Sequence, residues 1–556
     1  MIVRKPWRIR LHGPLGTALN GLCQKLLQNF EFDRYLAPFE NRSGAAGDVR
    51  DLPVWGTAMR CALNTIAFAD HTEKLTARVF DSLDNFLILK ERCGTMTAFP
   101  PNRQLEAGDL WSRRAILNAL LAAVDAFPTD KRIPACCADM VDEIMELVGP
   151  GKRSILHCGA MGGLESSALL DSVAGVYRLT GKKRFLDFAR YIADCGCSQQ
   201  HNIFDALEKG MPLELLANGS ATGLTACFKG LCELGKADKE YTERARLLGQ
   251  RYFERIVSEE MLITGAAGGG NFEGTSWCRG AYQQTNAAFP KGVLGSTAVT
   301  AECIEFFAAL AGLGEPVALG AWAERSCYNA LLGAWNKFNG LFAPFEPLPL
   351  TRAARSDLSG QYHIYDLLRG AEALSTASLL ALTDTENGAV LNFYEDMELH
   401  LSRKTLIRVS GSYPATNSAE IRIRSTKPFA ISLRIPEYCT GVYYCNALLR
   451  YEKNSLLTID RPWELDEVLR IDFDPRIKHI APPDGSPYQA LMRGPLVMTA
   501  DVKGAKIPGA MAYSSYNRLP LIDYASAGKP FGSGRNFVVW FRKMFPKYIF
   551  TPPDGN

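Results

Sequence analysis

The chain carries almost no surplus charge, with 62 Lys and Arg against 59 Asp and Glu, or +3 over 556 residues. So weak a net field gives no grip on a phosphate backbone or an anionic bilayer, and neither nucleic acid nor membrane is an expected partner. No apolar run approaches the ~20 residues that cross a bilayer. The opening MIVRKPWRIRLHG has early basic residues but no apolar stretch behind them, so no secretory leader is expected and the expected location is cytoplasmic. Histidine is scarce, at 7. The 15 cysteines are odd in number and scattered, which fits reduced buried thiols better than a disulfide framework. Cys136-Cys137 and Cys195-x-Cys197 lie in helical stretches with no second pair at zinc-finger spacing, and they read as packing residues.

What is present is a large globular composition, 47% hydrophobic and 22% charged. From about residue 15 to 385, apolar positions recur at three and four, as in Leu19, Leu22, Leu26 and Phe30, the pattern of a helix with one buried face. Twelve such segments cover about 18–30, 57–69, 74–90, 111–126, 131–147, 165–180, 183–197, 219–234, 239–259, 297–313, 317–333 and 366–383. Gly181, Gly235 and Gly314 stand where a left-handed residue closes a helix. Twelve helices in short-linked pairs make six hairpins, which close into a toroid with a funnel at one end. The long loop 260–296 is expected to line that funnel. Beyond 385 the period becomes two, in AEIRIRS, FAISLRIP and EVLRIDFDP, as for antiparallel strands with one buried face. The expected fold is therefore mainly α: an (α/α)6 toroid over 11–385, then a β-sandwich over 386–556, with residues 1–10 offering one more strand.

Several strings, in order over roughly residues 10 to 500, resemble the β-L-arabinofuranosidase-like glycoside hydrolases, family 127 and its relatives. They include FPPNRQLEAGDLWSRRAILNALLA, LHCGAMGGLESSALLDSVAGVYRLTGKKRFLDFARYI, AECIEFFAAL, WAERSCYNALLGAW, SLRIPEY, IDRPWELDEVLRIDF and LMRGPLV. The resemblance implies an (α/α)6 barrel followed by β-sandwich material. It also implies a cysteine thiolate nucleophile held on zinc by a glutamate and three cysteines, with a separate glutamate as acid/base. AECIEFF supplies Glu302 and Cys303 for that pattern. The adjacent cysteine pair belongs just before a glycine-containing helix start, here YHIYDLLRGAEAL. Setting Gly370 on the family's glycine puts Tyr365 and Asp366 where the cysteines belong, and no cysteine occurs between Cys327 and Cys439. The thiolate nucleophile is absent, and no zinc or other cofactor is expected.

Glycosidic cleavage needs a proton for the leaving oxygen and an anion that attacks the anomeric carbon or activates water. The family's acid/base glutamate maps to Glu273 in GGGNFEGTSWCRGAYQQT, where glycines allow close backbone approach and Trp277 offers a stacking face. The alternative for Glu273 is a solvated loop carboxylate. Asp366 is a candidate nucleophile or base, or else a helix N-cap. A carboxyl separation of about 5–5.5 Å would retain configuration and about 6.5–9.5 Å would invert it. Tyr365 is a third candidate, activated by Glu302 or merely hydrogen-bonded to it. Trp111, Arg113, His157, Gln284 and His363 are candidate sugar-reading residues, with structural roles as the alternative.

The first functional reading is a glycoside hydrolase that removes a terminal sugar, an arabinofuranoside or a related plant-glycan sugar, from an oligosaccharide by carboxylate chemistry. A carbohydrate-binding protein on the same fold, without catalysis, is the second. A sugar lyase or epimerase with Tyr365 or His363 as base is the third.

Overall fold

The computed structural model describes residues 2–3, 9–42, 49–268, 275–285, 293–314, 316–348, 351–353, 363–385, 388–402, 405–425, 428–463, 467–504, 506–507, 510–528 and 536–543. Twelve of its helices, taken two at a time in chain order, alternate between two rings: α1 (Pro14–Lys25) and α2 (Val54–Phe68), α3 (Glu73–Cys93) and α4 (Asp109–Ala126), and α5 (Arg132–Leu147) and α6 (Leu170–Thr180). The other three pairs are α7 (Lys183–Asp194) with α8 (Ala221–Ala237), α9 (Lys239–Arg255) with α10 (Thr297–Ala311), and α11 (Pro316–Arg325) with α12 (Ile364–Leu379).

The two members of each pair bury differently. Odd-numbered helices bury one stripe, as α1 does with Leu15, Ala18, Leu19 and Leu22, because their other face meets water. Even-numbered helices are buried nearly all round: α2 from Val54 to Met59 and again from Cys61 to Thr65, α10 from Val299 to Phe307. Neighbours in the inner ring pack in the cycle α2, α4, α6, α8, α10, α12 and back to α2. This is the expected (α/α)6 toroid. Gly181 closes α6 at φ 66°. Gly235 does not close a helix, since α8 runs on to Ala237; a Cβ there would lie 2.5 Å from that of Ala245, so the glycine lets α9 approach.

The strand-rich part forms the β-sandwich region. Burial alternates along Ser418–Ser425 and Val468–Phe473, which pair side by side in a seven-stranded sheet. Ile9–Leu11 is the edge strand of that sheet, paired with Met397–Ser402, while Ile2–Val3 pairs with Leu382–Thr385 in a five-stranded sheet. The stretch after 475 contributes a third sheet that includes Tyr488–Arg493 and Leu496–Asp501, and the tail beyond about 500, the part least legible as sequence, adds Ser514–Tyr516 and Leu519–Asp523 to it. The toroid is locked to the strands through buried charge: Glu324 meets Arg434 at 2.7 Å and accepts the hydroxyls of Tyr413 and Tyr438, each at 2.8 Å.

Two buried carboxyls govern how stability responds to pH. Glu395 accepts the Leu15 and Gly16 N–H groups at 3.2 and 3.3 Å and the Tyr328 hydroxyl at 3.0 Å, which fixes the start of α1 to the strand region. Glu260 accepts three N–H groups, from Cys278, Arg279 and Gly280, at 2.9–3.1 Å. Burial outweighs those hydrogen bonds and pushes both carboxyls up to about 7. The folded chain therefore keeps protons that the unfolded chain releases at the ordinary carboxylate value. The stability from these two groups is complete below that value and is lost as pH rises to about 7. Melting temperature is expected to peak near pH 5 and fall toward pH 8, and Glu395→Gln to flatten the fall, each group accounting for at most about 3 kcal/mol. A melting temperature that climbs steadily across that range would contradict this.

Candidate active site

All six inner helices place charged side chains on the toroid axis. Arg60 on α2, Arg114 on α4, Asp171 on α6, Lys229 on α8, Glu302 and Glu305 on α10, and Arg369 and Glu372 on α12 form one network of four cations and four anions. Arg369 reaches Glu302 at 2.8 Å and also pairs with Glu372. Arg114 reaches Asp171 at 2.9 Å and Glu302 at 3.5 Å, and Arg60 holds Glu305 at 2.9 Å and Glu372 at 3.0 Å. Burial works against the charged form of Asp171, but Arg114 and Lys229 outweigh it and hold that carboxyl far below the usual range. Arg60 and Lys229 do the same, against burial, for Glu305. Charge this deep persists because each ion has a partner.

Above the network, at the N-terminal ends of the inner helices, lies the mouth. The first turn of α12 presents Tyr365 and Asp366, with His363 as its N-cap: the His363 Nδ1 accepts the Tyr365 N–H at 3.2 Å. Asp366 is therefore not the cap. Its carboxylate, 29% exposed, meets Arg50 at 3.2 Å, and the neighbouring Asp51 meets the His363 Nε2 at 3.0 Å. These two contacts staple the turn Val49–Asp51, which leads into α2, onto α12. Tyr365 accepts the Trp111 indole N–H at 2.9 Å across the opening. Burial, aided by Glu372, raises its phenol above the ordinary value despite Arg369 and the Trp111 hydrogen bond. The guanidinium of Arg114 lies 4.7 Å from the Trp111 ring centre and that of Arg369 5.8 Å from the Tyr365 ring centre, so the aromatic pair rests on the cations of the axis.

None of the other sequence candidates among the described residues hydrogen-bonds to this cluster. Arg113 is buried on Asp109, with contacts at 3.1 and 3.2 Å, and it anchors the start of α4 instead of facing the opening. Gln284 spends its amide on backbone, accepting the Ile263 N–H and donating to the Ala281 carbonyl, both at 2.9 Å. Trp277 is 3% exposed and donates to the Tyr252 hydroxyl at 3.1 Å, so it presents no free stacking face. A buried loop must satisfy its own polar groups, and these side chains do that. His157 is exposed on the turn Ile155–His157 ahead of α6. Glu273 lies outside the described residues.

The zinc pattern of the resembling family does not fit this donor set. Glu302 Oε1 is held by two guanidinium groups, which oppose a dication beside them, and only Oε2 is without a partner. Cys303, about 100° further round α10, faces Thr225 instead of the axis, and burial raises its thiol far above the ordinary value. Tyr365 does not hydrogen-bond Glu302; Arg369 stands one turn below the phenol and takes that carboxylate. Among the described residues no three His, Cys, Asp or Glu side chains gather as a metal site. Arg369, Arg114 and Glu372 went unread in the sequence, although pairs three apart in apolar helices, Arg369/Glu372 and Glu302/Glu305, are a signal of paired buried charge.

No family model matches the chain, and neither does any curated protein. Solved structures do. A GH127 β-arabinofuranosidase superposes with a TM-score of 0.75 at 15% identity, over 98% of each chain. A GH127 β-L-arabinofuranosidase from Geobacillus stearothermophilus T6 gives 0.75 at 15% identity, over 96% of this chain and 100% of that one. A third structure, a glycoside hydrolase, gives 0.72 at 14% identity, over 97% of each. The likeness noted in the sequence strings is thus matched in the fold over nearly the whole chain, at 14–15% identity.

Proposed function

We propose that the mouth is the carbohydrate site of a metal-independent glycoside hydrolase, with Asp366 as the nucleophile or the base that activates water and Glu273 as the acid/base. The observation that carries this reading is a division of labour between the carboxylates of α10 and α12. Glu302 is committed to Arg369 on the axis, whereas Asp366 stands one helical turn nearer the opening, part-exposed and positioned by Arg50. The proposed substrate is a terminal arabinofuranoside or a related sugar on an oligosaccharide, and Trp111 and Tyr365 form the floor against which the sugar ring rests. A screen of the full chain against aryl furanosides and pyranosides tests this, with release of the aryl alcohol from at least one glycoside as the expected result.

A second reading, sugar binding without turnover, draws on a separate fact: Asp366 is paired with Arg50, and Tyr365 with Trp111. Sugar-dependent thermal stabilisation with no product would favour it. Neither product nor stabilisation with any glycoside would sink both.

A further inference from the structure

The toroid has a second opening. At the end opposite the mouth, residues of α2, α4, α6 and α8 and the last residue of α12 line a half-open cavity of about 500 Å3, a volume typical of small-molecule sites. Along α12, Tyr365 at the mouth and Leu379 at this cavity are about 20 Å apart at 1.5 Å per residue. The axial network lies between them. Arg60, Asp171 and Lys229 form the cavity floor, so the underside of that network is what a ligand would meet.

The lining specifies the chemistry. Its charged groups are already satisfied: Arg178 pairs with Glu233 at 2.8 Å, Lys229 with Asp171 at 2.9 Å, and Arg60 with Glu305 and Glu372. Three cations, Arg60, Arg178 and Lys229, face three anions, Asp125, Asp171 and Glu233. An ion entering there would find no uncompensated counter-charge. Asn64 differs from these groups. It is 4% exposed, lines the cavity, and has no hydrogen-bond partner among the described residues. Neither its amide nitrogen nor its amide oxygen is sealed from solvent, so two donors and an acceptor stand open to whatever occupies the cavity. Asn118, also in the lining, gives one N–H to Asp171 at 3.3 Å and accepts the Ser172 hydroxyl at 3.1 Å. The remaining wall is aliphatic, with no aromatic ring among the described lining residues. A ligand that suits two amides, balanced charge and aliphatic walls is small, uncharged and rich in groups that both donate and accept.

We propose that the reverse end of the toroid binds a small neutral polyhydroxylated molecule, a polyol or free monosaccharide, with Asn64 and Asn118 as its amide partners. The test is titration calorimetry on the full chain with erythritol, ribitol and L-arabinose, with L-glutamine as zwitterionic and inorganic phosphate as anionic comparators. Saturable binding of at least one neutral probe is expected. It should persist in Asp366→Asn and weaken about tenfold or more in both Asn64→Leu and Ala122→Trp, the second filling the cavity from a different wall. Melting curves of both variants show whether the fold is kept, and a loss of binding counts only in a variant that melts cooperatively. Heat from glutamine or phosphate alone, no saturable heat from any neutral probe, or neutral binding that survives in the cavity variants and disappears in Asp366→Asn would each overturn the proposal. Aryl-glycoside turnover is expected to survive Ala122→Trp, so failure here is distinguishable from failure of the glycosidase reading.

Discussion

Turnover of a responsive aryl glycoside is expected to fall by about two to four orders of magnitude in Asp366→Asn, and by a similar factor in Glu273→Gln, the usual size of a lost general acid, base or carboxylate nucleophile. Asparagine keeps the shape of the side chain and one oxygen for Arg50, 3.2 Å away in the wild type, so the change removes the charge with little disturbance of the mouth. If the two residues act at opposite ends of one bond cleavage, the double variant should be little worse than the poorer single one, because residues acting as a unit are not additive. Glu273→Gln should also depend on the leaving group: an activated nitrophenolate needs little protonation, so the loss should grow with poorer leaving groups. Turnover equal to wild type in both single variants would end the assignment.

The second large effect is on stability. Arg369→Met removes the cation shared by Glu302 and Glu372, each of which keeps one more distant or shared partner, Arg114 at 3.5 Å and Arg60 at 3.0 Å respectively. Breaking a buried ion pair from one side costs about 3–5 kcal/mol, and these remaining partners place the expected loss at the lower end, about 3 kcal/mol. Urea unfolding measures it without screening the charges as a guanidinium salt would. Adding Glu372→Gln to Arg369→Met restores the balance of charge and is expected to recover part of the loss. Arg369→Lys should fall between wild type and Arg369→Met, since a single ammonium does not present the planar fork that spans two carboxylates. A loss in Arg369→Met below about 1 kcal/mol would show that the axis is solvated and the network incidental.

Helices were the most legible part of the sequence because burial of one stripe repeats at three and four. Leu19 and Leu22 announced α1, and the change to period two announced Ser418–Ser425. The mouth was legible only in part. The family resemblance put Tyr365 and Asp366 just before a glycine-containing helix start, and they do sit on the first turn of α12. The staple from Arg50 and Asp51 was not legible, because its partners lie more than 300 residues apart. Separation along the chain, 245 residues from Arg60 to Glu305 and 76 from Lys229 to Glu305, hid the axis too: the three look like isolated charges until three helices bring them together. Loop polarity misled in the opposite direction. Gln284 and Trp277 resembled sugar readers, yet buried loops use such groups to close their own hydrogen bonds, and composition cannot separate the two uses.

The replacement of a metal by a guanidinium beside Glu302 is the claim on which the functional account turns. Turnover of the best aryl glycoside by protein stripped with a strong chelator, with zinc content measured on the same sample, tests it most directly. The account predicts undiminished turnover at far below one zinc per chain. Activity that disappears on stripping and returns with stoichiometric zinc would contradict it.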